Sequence, residues 1–221
     1  ELVIVNNPTM NAFAVPGGVV GFHTGVFALA ETEDQMASVL AHELAHLSQR
    51  HFARGLEAQR SSSMVSLAGL LASLVIAATA GGDAGMAAIT TSQAMAMDNQ
   101  LRYSRSNEQE ADRMGLQTME RANRDPGAVA DMFATLLKAT RYSGSRPPEF
   151  LLTHPITEKR IADARGRAMG ASMRHYPRSP EFHLIKARAL IAISNKPLDA
   201  IKRFNAQLKS NPQNPQAIYY G

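Results

Sequence analysis

The stretch ETEDQMASVLAHELAHLSQR, residues 31–50, decides how this chain is read. Thr32 can cap a helix, Glu33 and Asp34 sit in its first turn, and Gln35 holds the capping-box position. Met36, Val39, Leu40, Leu44 and Leu47 recur at helical spacing and predict a helix running to about Arg60. Inside it, His42-Glu43-Leu44-Ala45-His46 spells H-E-x-x-H. Positions i and i+4 differ by about 40° around a helix, so both imidazoles reach one point on one face. Zinc uses such a pair as two of three protein ligands and keeps a fourth position for water. Glu43 follows the first ligand and can take the proton of that water and pass it to a leaving amine.

A third ligand must come from elsewhere. His51 lies nine residues past His42, about 900° around a helix and so on the opposite face, which suits a structural or surface histidine. Gln49 and Phe52 stand where the longer H-E-x-x-H-x-x-G-x-x-H signature has Gly and His. The better source is Asn107-Glu108-Gln109-Glu110-Ala111-Asp112. Glu108 and Asp112 are i and i+4 and share a face, while Glu110 points away. Glu108 can ligate the metal, and Asp112 can accept the second N–H of a ligand histidine and fix its tautomer. The bland alternative is an acidic face paired with Arg105 and Arg113.

Composition narrows the chemistry further. The 221 residues are 45% hydrophobic and 19% charged, an ordinary globular balance. Cys is absent, which excludes disulfide scaffolds, thiolate catalysis and Cys-ligated zinc. The net charge of +4 is uneven: residues 1–140 are acidic on balance and 141–221 basic. The basic residues are spread singly, without aromatic interleaving, so no nucleic-acid partner is expected. Peripheral contact with an anionic membrane surface stays possible.

Outward from the motif, Leu2–Val5, Ala12–Val15 and Val19–Thr24 are short apolar runs separated by Asn6-Asn7-Pro8 and Pro16-Gly17-Gly18, which predicts a small sheet. Residues 61–82 carry no charge. Their Ala, Ser and Gly content, with the break at Gly81-Gly82, favours two packed helices over 61–97, covering the cleft; insertion into a membrane is the alternative. A helix over 99–122 and another from Asp125-Pro126 to about Tyr142 follow, then a loop over 143–157 that holds His154. The chain opens without an initiator Met or a leader and ends abruptly after Tyr219-Tyr220, so truncation at both ends is expected.

With these motifs in hand, the sequence resembles the HtpX-like and CaaX prenyl protease-like zinc peptidases, which are gluzincins. The resemblance rests on His42-Glu43-Leu44-Ala45-His46, on Glu108–Asp112 as E-x-x-A-D, and on His154-Pro155 followed by Arg160-Ile161, and it covers roughly 1–170. It implies His42, His46 and Glu108 as ligands of Zn2+, Glu43 as general base and Asp112 behind the ligands. It implies that His154 can approach the zinc, either restraining the enzyme or stabilising an oxyanion. Arg160 reads as a structural ion-pair partner. Val19–Thr24 resembles the edge strand on which such enzymes lay an extended substrate.

The implied fold class is α+β, mostly helical: a zincin-like metalloprotease domain over 1–175 and the start of a tetratricopeptide-repeat segment over 176–221. Leu184, Ala187, Ile191, Ala200, Phe204 and Pro212 fall at repeat positions, while Arg188 and Gln207 depart from them. The resemblance points to the soluble periplasmic branch of the family. Its substrates are unfolded or misassembled proteins, outer-membrane β-barrel proteins in particular, with their assembly machinery met through the repeats. A proteolytically quiet chaperone or scaffold and a membrane-anchored protease are the rival functions.

Overall fold

In a computed structural model of the chain, the described residues are 1–142, 148–170, 176, 179–194 and 196–213. Pro147, Pro177 and the expected second repeat from Pro215 through Ile218-Tyr219-Tyr220 lie outside them. The molecule is mostly helical with one small sheet, as the sequence implied. It divides into two compact units: Glu1–Leu47 with Ala111–Gly221, and Ser48–Glu110.

The first unit is built on strands β1 (Leu2–Val5), β2 (Ala12–Val15) and β3 (Val19–His23), in the order β1-β3-β2. Gly17 and Gly18 have φ of 98° and 83°, a conformation that costs glycine little, and they turn β2 back into antiparallel β3. β1 pairs with β3 in parallel. The expectation of an edge strand at Val19–Thr24 is therefore wrong: β3 is the middle strand, flanked on both sides. Turn chemistry predicted the strands but not their order, which depends on pairing at a distance.

Helix α1 (Thr24–Leu29) continues directly from β3. Gly25 is held beneath the Asn7–Thr9 turn, where an added Cβ would collide with the carbonyl oxygens of Pro8 and Thr9. Helix α2 (Glu33–Ser48) starts as its sequence demands. The Gln35 backbone N–H donates to the Thr32 hydroxyl at 3.1 Å, and the Gln35 side chain accepts from the Glu31 N–H at 2.8 Å. Arg124 pairs with Glu33 and Asp34 at 2.7 and 3.3 Å.

α2 stops short of the expected Arg60. Arg50 adopts a left-handed backbone (φ 55°), and a new helix α3 (His51–Ala80) begins. Neither Gly nor Pro marks this break. Gly81 (φ 98°) then ends α3, and α4 (Gly82–Arg121) runs without interruption where the sequence suggested two segments. The hairpin turn thus falls at Gly81-Gly82 as expected. Burial does not follow the same expectation, because the long apolar side chains of α3 face outward.

In the first unit, α5 (Gly127–Tyr142), α6 (Glu149–Thr153) and α7 (Glu158–Ala168) close the core. Phe22, Val26, Val39, Met132, Leu136 and Phe150 form one buried cluster, and Leu116, Met119, Val129 and Phe133 lead a second. α6 corrects the reading of 143–157 as loop alone. Helices α8 (Pro180–Ala192) and α9 (Pro197–Ser210) form a hairpin around Ala187, Leu190, Ala200 and Phe204. It belongs to the same compact unit as the sheet, with α8 packed on α1.

Candidate metal centre

α2 turns His42 and Glu43 into the interior and leaves Leu44 on the surface. His42 is 5% exposed and Glu43 1%. A carboxylate so deeply buried is expensive unless chemistry requires it. The helix spacing does what the sequence implied: His42 and His46 lie ring against ring, with their Nε2 atoms 3.0 Å apart.

Asp112 comes from α4, which crosses α2 closely at Gly115, opposite the backbone of Ala41 and His42. Its carboxylate stands 3.1 Å from His42 Nδ1. An N–H on Nδ1 then leaves the lone pair on Nε2, the nitrogen that faces His46. Arg160 donates twice to Asp112, from Nε and Nη2, at 2.7 Å each. Burial pushes the Asp112 carboxyl up, but its hydrogen bonds to His42 and Arg160 outweigh this and hold it below the usual carboxylate range. Arg160 also donates to the Pro155 carbonyl at 2.7 Å and stacks over Phe133. It is a buried ion-pair partner, and it ties the support of His42 to the turn that carries His154.

His154 follows the last residue of α6 as its C-cap. Its backbone N–H donates to the Phe150 carbonyl, and its ring packs on Phe150. Its Nδ1 is 3.3 Å from His42 Nε2, and its Nε2 is 3.5 Å from Glu43 Oε1. Glu108 lies one turn before Asp112 on the unbroken α4 and on the same face. His42, His46, Glu108 and His154 each offer one ligand atom, and these four atoms lie within 4.8 Å of one another. Three imidazole nitrogens and a carboxylate oxygen gathered so closely fit a zinc-type cation by donor chemistry: converging lone pairs repel unless a proton or a cation lies between them.

The other residues weighed in the sequence sit apart. Glu110 takes His51 Nε2 at 3.1 Å and Arg54 Nη1 at 2.9 Å, so its divergence from Glu108 has a structural use. The hydrogen bonds from Arg54 and then His51 hold the Glu110 carboxyl below its ordinary range. Arg105 stands 3.9 Å from Asp98, seven residues earlier on the same helix. Sequence reasoning missed Phe150 as the platform for His154. Its only signal was an apolar residue four positions before the histidine.

A family model described as Peptidase family M48 matches residues 1–168. Over 187 residues the chain is 44% identical to the beta-barrel assembly-enhancing protease (BepA) of Escherichia coli (strain K12), covering 85% of this chain and 38% of that protein. A putative beta-barrel assembly-enhancing protease of Vibrio cholerae is 39% identical over 230 residues, covering 98% of this chain and 46% of that protein. The mitochondrial metalloendopeptidase OMA1 of Schizosaccharomyces pombe is 34% identical over 161 residues, covering 73% and 44%. The chain spans less than half the length of these relatives.

Proposed function

Because the chain belongs to peptidase family M48, we propose that it forms the catalytic part of a zinc-dependent endopeptidase of the bacterial periplasm. The observation that carries this reading is the convergence of His42, His46, Glu108 and His154 on one point beside the buried carboxylate of Glu43. His42, His46 and Glu108 would hold the ion. Zinc held there would polarise a scissile carbonyl and make water acidic enough to attack near neutral pH.

The remaining chemistry belongs to the chain. Glu43 accepts a proton from the attacking water and delivers it to the leaving amide nitrogen. Asp112 orients His42 through Nδ1, and Arg160 keeps Asp112 ionised and in place. His154 supplies a fourth donor, and we read it as a restraint on activity rather than an oxyanion stabiliser. Its Nδ1 lies among the ligand atoms, where it competes with substrate.

Substrates are proposed from the relatives' names: unfolded or misassembled outer-membrane β-barrel proteins. A metalloprotease domain over 1–175 and a partial tetratricopeptide repeat over 176–221 make up the chain in this reading, the repeats serving contact with the assembly machinery. The α8–α9 hairpin supports it, since Ala187, Ala200 and Phe204 of the repeat pattern are the buried ones. Hydrolysis of an unstructured protein by wild type and Glu43→Gln tests the enzyme reading. Absence of hydrolysis by both would favour a chaperone or scaffold.

A further inference from the structure

The hairpin of α3 and α4 is packed the wrong way round for water. Along α3 the positions turned inward are Ser66, Gly69, Ser73 and Ala77; along α4 they are Gly85, Ala88, Ile89, Ser92 and Ala96. The seam is therefore made almost wholly of small or hydroxylated residues. A Cβ on Gly69 would collide with Ser92, and one on Gly85 with Ala77, so the two backbones approach closely. The large apolar side chains face out instead. Met64, Val65, Leu67, Leu71, Leu74 and Val75 are all more than half exposed, and they occupy the half of α3 turned away from the seam. A soluble hairpin buries leucines and exposes serines. Small residues within and large apolar residues without is the arrangement that suits lipid.

The polar groups of the hairpin conform to the same solvent. The hydroxyls of Ser63, Ser73, Thr79, Thr90 and Thr91 each donate to the carbonyl four residues earlier in their own helix. Such bonds satisfy these five hydroxyl donors without water. α3 has 30 residues, and its most apolar window has a mean hydropathy of 2.0 and is 6% buried. Residues 61–80, the uncharged part of α3, make a run of about 30 Å as helix, against a hydrocarbon core of about 30 Å. Arg60 on α3 and Arg102 on α4 both lie about 30 Å from the Gly81 turn. They place positive charge at the level where anionic headgroups would lie. Asp83 and Asp98 lie about 23 Å apart along α4, so they fall just inside the two edges of such a core, Asp98 there bonded to Arg102 at 2.7 Å.

We propose that the α3–α4 hairpin inserts, tip first, into a lipid bilayer and anchors the chain to a membrane. This inference rests on the unit Ser48–Glu110 alone and does not depend on metal binding or peptidase activity.

The absence of Cys permits a clean test. A single cysteine at Leu71 (L71C), labelled with an environment-sensitive fluorophore in the full chain, is mixed with vesicles of phosphatidylcholine containing one quarter phosphatidylglycerol. Flotation and quenching by lipids brominated along the acyl chain are read in low and high salt. The expected result is co-flotation that survives high salt, a blue shift, and quenching by acyl-chain bromine. Leu74→Glu with Val75→Glu should lower partitioning about tenfold or more. A label that stays unquenched overturns the proposal, as does flotation that salt abolishes, which is mere headgroup adsorption. A lipid-free dimer that buries the label and no longer responds to vesicles assigns the surface to a second copy and overturns it equally. An unchanged far-ultraviolet circular dichroism spectrum and melting temperature, measured on the same samples, show that the double variant stays folded.

Discussion

At the residue scale the account turns on Glu43. Gln is nearly isosteric with Glu and cannot accept the proton, so Glu43→Gln should keep zinc and lose about 10²–10⁴-fold in turnover. Peptidase assay at equal zinc content checks this, and near-normal turnover would require another base. His154→Ala should leave zinc in place, because three ligands remain, and should raise basal cleavage of an unstructured protein. A fall would assign His154 to oxyanion stabilisation. Asp112 gives the pH dependence. Its carboxyl is lowered in the folded chain, so the stability it confers is present above its unfolded pKa of about 3.9 and lost as pH falls through the folded value. In metal-free chain, Asp112→Ala should cost about 3–5 kcal/mol at pH 7, because Arg160 keeps a buried charge without its carboxylate. Urea unfolding should show the gap narrowing below about pH 4; a gap constant with pH would contradict the assignment. Much of this site was legible because His42 and His46, like Glu108 and Asp112, are four apart, and a helix turns that spacing into a shared face. That His154 meets His42 was not written in any local pattern. The two are brought together by α6 packing Phe150 into the core, a contact across more than a hundred residues.

At the element scale, the sheet and the start of α2 follow from local chemistry. Gly17-Gly18 can adopt positive φ, and Thr32 with Gln35 caps its helix, so both were readable. The end of α2 was not. Arg50 takes a left-handed conformation with no glycine to announce it, and a non-glycine residue keeps such a conformation only where the surrounding structure holds it. The order of the strands and the short α6 were lost for the same reason. Gly25 tests the tertiary part of this argument. Its missing Cβ lets α1 pass under the Asn7–Thr9 backbone, and neither carbonyl can yield as a flexible side chain would. Gly25→Ala should destabilise the chain by about 1–3 kcal/mol. An unchanged melting temperature would show that the turn moves freely.

For the whole molecule, the two compact units divide their labour. Glu1–Leu47 with Ala111–Gly221 holds the sheet, the two buried clusters and the His42–Asp112–Arg160 chain of contacts, while Ser48–Glu110 holds an apolar hairpin. The sequence showed 61–82 as uncharged and rich in apolar residues, and such apolar residues are normally buried. The structure instead turns its leucines outward, a distinction that hydropathy cannot make, because burial and lipid exposure select the same residues. The central claim is that this fold assembles a zinc site from His42, His46 and Glu108. Zinc content per chain, measured by elemental mass spectrometry on purified wild type and His46→Ala after dialysis against zinc-free buffer, tests it most directly. The account predicts one zinc per wild-type chain and loss of stoichiometric zinc from His46→Ala. Full occupancy in that variant would contradict it.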